Sequence, residues 1–203
     1  METQNEYGVF LTRAQPFHRG HIDVVKEILR THKKALIFIG SANKSGTKRN
    51  PLPISIRRSI ASKSLYNSFD YEDLTRVTLC TLNDWSMEDY DPAVKEWGRF
   101  LYYNIVNQIG SKNFDIYYND DISIIENWFE PYIRERIQII QLDRSAIADG
   151  ISSTKLREAI IANDENSRSY AITHLACDFA QYTIMREELI KAESTPKDDF
   201  MIK

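Results

Sequence analysis

Three short segments of the chain carry residue types suited to binding phosphate. The first is RAQPFHRGH, Arg13 to His21, in which His18 and His21 lie three apart with Gly20 next to the second. A glycine lets the backbone come close to a ligand. Imidazoles at a helix start, where unpaired N–H groups and partial positive charge collect, suit an anion whose charge grows as it reacts. The second segment is ISSTKLR, Ile151 to Arg157, which offers the hydroxyls of Ser152, Ser153 and Thr154 with the cations Lys155 and Arg157. The third is GSANKSGTKRNP, Gly40 to Pro51, where Lys44 and Lys48 suit charge clamps in a loop for phosphate and nucleoside. Each segment alone has a plainer use: a tight turn with surface histidines, a helix cap, a solvated loop.

The elements between these segments put them where ligands collect. Gly8 to Leu11 and Ala35 to Ile39 are short apolar runs that read as buried strands, and between them Ile22, Val25, Ile28 and Leu29 repeat at helical spacing. The pattern continues with a helix at Ile54 to Tyr66, a strand at Val77 to Leu82 and a helix at Pro92 to Ile109. A strand at Phe114 to Tyr118, a helix at Ile122 to Phe129 and a strand at Ile137 to Leu142 follow. Helices are expected again at Thr154 to Ala162 and from Arg168 to Lys191, the last placing Leu175, Phe179 and Tyr182 on one stripe, before a polar tail. Such alternation predicts an α/β fold: a Rossmann-like open parallel sheet with helices on both faces and a C-terminal helical extension. The first and third segments then follow strands, at the carboxyl edge of the sheet where ligands bind.

Bulk properties narrow the class. A length of 203 residues suits one α/β domain with a helical end. Hydrophobic residues at 42% and charged residues at 27% are those of an ordinary globular protein. The start of the chain lacks a basic region followed by a long apolar run, and no run of about 18 apolar residues occurs, so a cytoplasmic protein without a membrane partner is expected. Cys80 and Cys177 have no metal-type spacing and read as buried reduced thiols in a strand and a helix. A net charge of −3 argues against nucleic acid as partner, while the cations gathered around the three segments fit a small polyanion. There is no Walker A pattern and no G-x-G-x-x-G fingerprint, which weakens kinase and dehydrogenase assignments.

Together the three segments resemble the HxGH nucleotidyltransferase superfamily, and within it the nicotinamide-nucleotide adenylyltransferases of the archaeal and Nudix-linked type. RAQPFHRGH is similar to that branch's R-F-Q-P-F-H-x-G-H, ISSTKLR to its I-S-S/G-T-x-x-R, and GSANKSGTKRNP to its G-S-x-x-S-x-T-x-x-N-P loop. The resemblance spans roughly Gly8 to Ile160 and implies a nucleotidyltransferase domain over residues 1–162, with residues 163–203 as a helix and tail packed on it. It implies that His18 and His21 bind ATP phosphates, that Arg13 and Arg157 hold phosphate oxygens, and that Ser152, Ser153 and Thr154 take the far end of the triphosphate. Gly20, Gly40, Ser41, Asn50 and Arg57 are the other ATP-binding positions it implies. Thr12 and Ala14 depart from the usual glycine and phenylalanine beside Arg13. For the pyridine ring the family uses a tryptophan preceded three residues earlier by asparagine; Trp97 is the nearest match, with Val94 at the earlier position, and Trp85 competes with it. Either tryptophan also suits a core position.

The activity so implied is transfer of the adenylyl group of ATP to nicotinamide mononucleotide, giving NAD and pyrophosphate with Mg2+ as cofactor and no protein metal site, in a homo-oligomeric enzyme. Nicotinic acid mononucleotide, phosphopantetheine and flavin mononucleotide are the alternative acceptors. A nucleotide-binding regulator without turnover is the alternative from another class. His32, on what reads as an exposed helix end, and His174, in the terminal helix, are expected to be bystanders.

Overall fold

Side chains along the second strand, β2 (Lys34–Ile39), alternate between two apolar cores: Ala35, Ile37 and Ile39 enter one, Leu36 and Phe38 the other. A strand buried on both faces requires helices on both, and the computed structural model, which describes residues 5–84, 94–118, 122–142 and 150–195, supplies them. β2 pairs with β1 (Tyr7–Thr12) and β3 (Val77–Thr81), and β1 pairs on its other side with β4 (Phe114–Tyr118), which pairs with β5 (Ile137–Gln141). All of these pairings are parallel and the order is β3-β2-β1-β4-β5, the Rossmann-like sheet expected.

One core holds α1 (Arg19–Thr31) and α2 (Ile54–Ser68) against the sheet, with Ile22, Val25 and Ile28 beside Ile60, Leu65 and Phe10. Three C-terminal helices, α7 (Ser153–Ala162), α8 (Glu165–His174) and α9 (Phe179–Glu193), join that core through Leu156, Ala171 and Met185. Each buried aliphatic side chain of this kind contributes roughly 1.5–3 kcal/mol. The other core takes Leu101 and Ile105 of α4 (Val94–Ile109) and Ile125 of α5 (Ile122–Glu126) against Val9, Leu36 and Ile116. Among the described residues no helix is long and apolar enough to cross a membrane.

Several local expectations are corrected. The long helix from Arg168 to Lys191 is two helices, because Asp178 opens a new one: its carboxylate accepts the Gln181 N–H at 2.8 Å, and the Gln181 side chain accepts the Asp178 N–H at 3.4 Å. The expected stripe is thereby broken. Leu175 and Tyr182 are buried, but Phe179 is 77% exposed, and Cys177 lies half-buried between the helices rather than in one. Cys80 is likewise half-buried. The helix Ile122 to Phe129 stops at Glu126, and Pro131 starts a separate turn, α6 (Pro131–Arg134). A short α3 (Tyr71–Thr75), capped by the Asp70 carboxylate on the Asp73 N–H, was not anticipated. Pro92, the expected start of α4, lies outside the described residues.

His32 is not exposed. Its ring is buried at the amino edge of the sheet, with Nε2 2.9 Å from the Asp115 carboxylate and Nδ1 2.9 Å from the Thr31 hydroxyl. The Tyr117 hydroxyl, 2.6 Å from that of Thr31, closes the network. A buried carboxylate is tolerated only when paired and hydrogen-bonded, which explains why these groups occur together.

Candidate functional site

The two imidazoles of the first motif form the opening turn of α1. His18 is the N-cap, with extended backbone, and its Nδ1 accepts the Gly20 N–H at 3.1 Å. The Nδ1 of His21 accepts the N–H of His18 at 3.1 Å, so the pair makes the reciprocal bonds that Ser and Glu make in an ordinary capping box. A ring nitrogen that accepts carries no proton, so both neutral rings hold theirs on Nε2. The rings lie 4.0 Å apart, and His21 is stacked on Phe17 at 4.7 Å. Burial lowers the His18 pKa to about 4, helped by the charge of His174, and holds His21 well below the usual imidazole range. At neutral pH the helix start therefore presents two neutral N–H donors in addition to its own amides.

The second motif closes on the first. Ser152 caps α7, its hydroxyl accepting the Lys155 N–H at 3.2 Å. Ser153 Oγ donates to the Pro16 carbonyl at 3.2 Å, and Arg157 donates to the Gln15 carbonyl at 2.8 Å and to Thr154 Oγ1 at 3.2 Å. The start of α7 is thus fixed beside the start of α1. Burial and the positive charge of Arg13 lower the Arg157 pKa. Two guanidiniums brought together beside buried N–H donors form a site that an anion stabilises.

The third segment is tied down from below. Arg57, expected at the nucleotide, is fully buried and directs its guanidinium at main-chain carbonyls: Arg13 at 2.9 Å, Gly40 at 2.8 Å, Ser41 at 2.8 Å and Lys44 at 3.4 Å. Burial lowers its pKa to about 10, so it remains a cation at neutral pH. Its part in the structure is to join the turn after β1 to the turn after β2. Gln15 makes a second join, its side-chain oxygen accepting the Leu52 N–H at 2.9 Å. Asn50 is buried, and its Oδ1 has no hydrogen-bond partner among the described residues. Both strand-end turns hold a non-glycine residue in left-handed backbone, Ala14 at φ 50 and Ser41 at φ 48. Such geometry costs about 1–3 kcal/mol and concentrates where ligands are clamped. The Thr12 hydroxyl supports the first turn by accepting the Ala14 N–H at 3.1 Å.

Sequence reasoning passed over two residues here. Asp84, just beyond β3, accepts from Ser41 Oγ at 3.0 Å and pairs with Lys44 at 3.3 Å, so the expected clamp Lys44 is held by a carboxylate. Glu193 lies 3.9 Å from Lys48, while Thr195 Oγ1 donates to the Gly46 carbonyl at 3.2 Å, so the end of α9 reaches the same loop. Neither lies in a motif.

Trp97 is not brought to this cluster by any ring contact or hydrogen bond that the described residues show. It stands in the first turns of α4, half-buried, 6.3 Å from Trp128 in an edge-to-face contact and 5.7 Å from Phe100. Gly98 permits this packing, since a Cβ there would sit 1.7 Å from the Trp128 carbonyl oxygen. Trp85 lies outside the described residues. Among the described residues no three His, Cys, Asp or Glu side chains are grouped to hold a metal ion.

Comparison with known proteins finds relatives in sequence and in fold. Nicotinamide-nucleotide adenylyltransferase from Thermoplasma volcanium is 40% identical over 72 residues, 35% of this chain and 40% of that protein. The chain therefore matches about two fifths of that relative's length. The enzyme of the same name from Sulfurisphaera tokodaii is 27% identical over 158 residues, 78% of this chain and 81% of its own. The fold is also that of a bifunctional NMN adenylyltransferase/ADP ribose pyrophosphatase from Francisella tularensis, solved with AMP and a manganese ion: TM-score 0.66, 18% identity, covering 92% of this chain and 51% of that one. The family model described as cytidylyltransferase-like matches residues 9–159, from the first strand through both imidazoles to the Ser-Ser-Thr turn and Arg157. A match of that extent, over the segments that the fold draws together, places the chain in the cytidylyltransferase-like family.

Proposed function

We propose that the chain transfers the adenylyl group of ATP to nicotinamide mononucleotide, forming NAD and releasing pyrophosphate. One observation carries this reading: Arg157 and Ser153 bond to the carbonyls of Gln15 and Pro16, so two helix starts, two imidazole donors and two guanidiniums converge. That convergence suits a triphosphate, and the names of the Thermoplasma and Sulfurisphaera relatives favour the pyridine mononucleotide as acceptor.

The 5′-phosphate of the mononucleotide attacks the α-phosphorus in line. A new phosphorus–oxygen bond forms as the bond to the bridging oxygen breaks, and that oxygen's electron pair leaves with pyrophosphate. An attacking phosphate is already anionic, so no strong base is needed and no covalent enzyme intermediate forms. The Nε2–H groups of His18 and His21 donate to phosphate oxygens at α1, with His21 nearest the α-phosphate. Arg13, Arg157 and the Ser152–Thr154 turn take the departing end. Gly20, Gly40, Ser41 and Asn50 border the nucleotide, Asn50 through its buried acceptor, while Arg57 acts by holding their loop. Trp97 or Trp85 stacks on the pyridine. Neutral donors fixed in place before reaction favour the transition state, where phosphate charge is greatest. Mg2+ arrives on the phosphates of ATP as part of the substrate.

The test is pyrophosphate release from ATP with nicotinamide mononucleotide, nicotinic acid mononucleotide, phosphopantetheine and flavin mononucleotide in turn. Release with the first, and NAD as product, is expected. Binding of ATP by calorimetry with no release for any acceptor would make the chain a nucleotide-binding regulator instead.

A further inference from the structure

A third imidazole, that of His174, has no part in the proposed chemistry. His174 ends α8, and that helix packs on α7, whose own start is bonded to the Gln15–Pro16 turn. Its neighbours Ala171 and Leu175 are buried in the same core that takes Phe17 and Ala14 of the first motif. The His174 ring packs edge-to-face on Tyr170 at 4.7 Å, which orients it, and lies near enough to His18 for charge on one ring to oppose charge on the other. The chain's one other histidine, His32, is at the opposite edge of the sheet.

We infer that His174 is a third phosphate-binding imidazole of the cradle, reaching the phosphate chain of ATP from the end of α8. The assignment deepens the adenylyltransferase reading and rests on its phosphate cradle. The two rings at α1 are locked by backbone amides as neutral donors. His174 has a different setting, at the C-terminus of α8. It complements the neutral pair by placing a third imidazole N–H donor beside a tetra-anion. It also gives the C-terminal helices a share in substrate binding, since α8 reaches the site through this side chain.

The experiment uses the whole chain with 15N-labelled histidine side chains. Inorganic tripolyphosphate is titrated in while the ring nitrogens are followed by NMR. The expected result is that His174, His18 and His21 shift along one saturation curve. In steady-state assays His174→Ala is expected to raise the ATP concentration for half-maximal pyrophosphate release about tenfold, the loss of a hydrogen bond to a charged group. The maximal rate stays within about threefold, as when binding alone is lost. His174→Gln, which keeps an N–H donor, recovers most of the affinity. The inference is overturned if the His174 nitrogens stay fixed while those of His18 and His21 move, or if no ring responds. It is also overturned if both variants keep the wild-type dependence on ATP. Absence of NAD synthesis by the wild-type chain would sink the acceptor assignment alone, because the tripolyphosphate titration decides His174 without it.

Discussion

Arg157 donates to the Gln15 carbonyl at 2.8 Å across 142 positions of sequence. The bond joins the last motif of the chain to the first, and it leaves the other arm of the guanidinium on Thr154. In the proposed function, binding and architecture therefore share one side chain. Arg157→Ala is expected to raise the half-saturating ATP concentration by roughly tenfold or more, the loss of a charge-assisted contact. Arg157→Lys, with the charge but not the fork, should fall between the two. Initial rates across a range of ATP concentrations check both, and equal ATP dependence in all three proteins would count against the role.

His21 has a different signature. Its Nε2–H is a preorganised donor, so its loss should appear in the maximal rate. His21→Ala is expected to lower kcat by about a hundredfold or more, equivalent to a few kcal/mol. Because Nδ1 also caps α1, near-UV circular dichroism should be compared first. A folded His21→Ala protein with normal turnover contradicts the mechanism.

Acid should weaken the fold through His18. Its folded pKa is about 4, below the ordinary 6.5, so between those values the unfolded chain binds the proton more readily. Stability contributed by the neutral ring is complete above about pH 6.5 and is lost as pH falls toward 4. The contribution is on the order of 3 kcal/mol. Denaturant titrations from pH 4 to 7 should give a steeper rise of stability with pH for wild type than for His18→Asn. Parallel curves would show that the ring does not titrate as its burial requires.

Arg57 should matter to stability before activity. Arg57→Met removes a buried donor set and leaves several carbonyls without partners, at a cost of about 3 kcal/mol. The thermal midpoint is expected to fall by roughly 6–12 °C for a chain of this size. Calorimetry provides the measurement; an unchanged midpoint would mean that the loop does not depend on this side chain.

The strand and helix order was legible because the pattern is strong where burial is two-sided: Ala35 to Ile39 is apolar at every position, and the helix of Ile22 to Leu29 has a clear stripe. The site motifs were legible as types, but not their division of labour. Arg57 matched a binding position and serves as a hidden brace, because sequence does not distinguish a cation facing ligand from one facing carbonyls. His32 was misplaced because its partner Asp115 is 83 residues away. The break before Phe179 had a local signal, the Asp178–Gln181 box, hidden by apolar residues on both sides that fit one continuous helix.

The order of the strands also governs when the cradle is completed during synthesis. Among the five described strands the earliest in sequence, β1, is the central one, and its two flanks are filled by β2, soon after, and by β4, much later. A nascent chain carrying only the first three strands already has both imidazoles but lacks the guanidinium and hydroxyls that face them. The two motifs can thus close on each other only after residue 157 has left the ribosome, so a truncated product ending earlier would hold half a cradle.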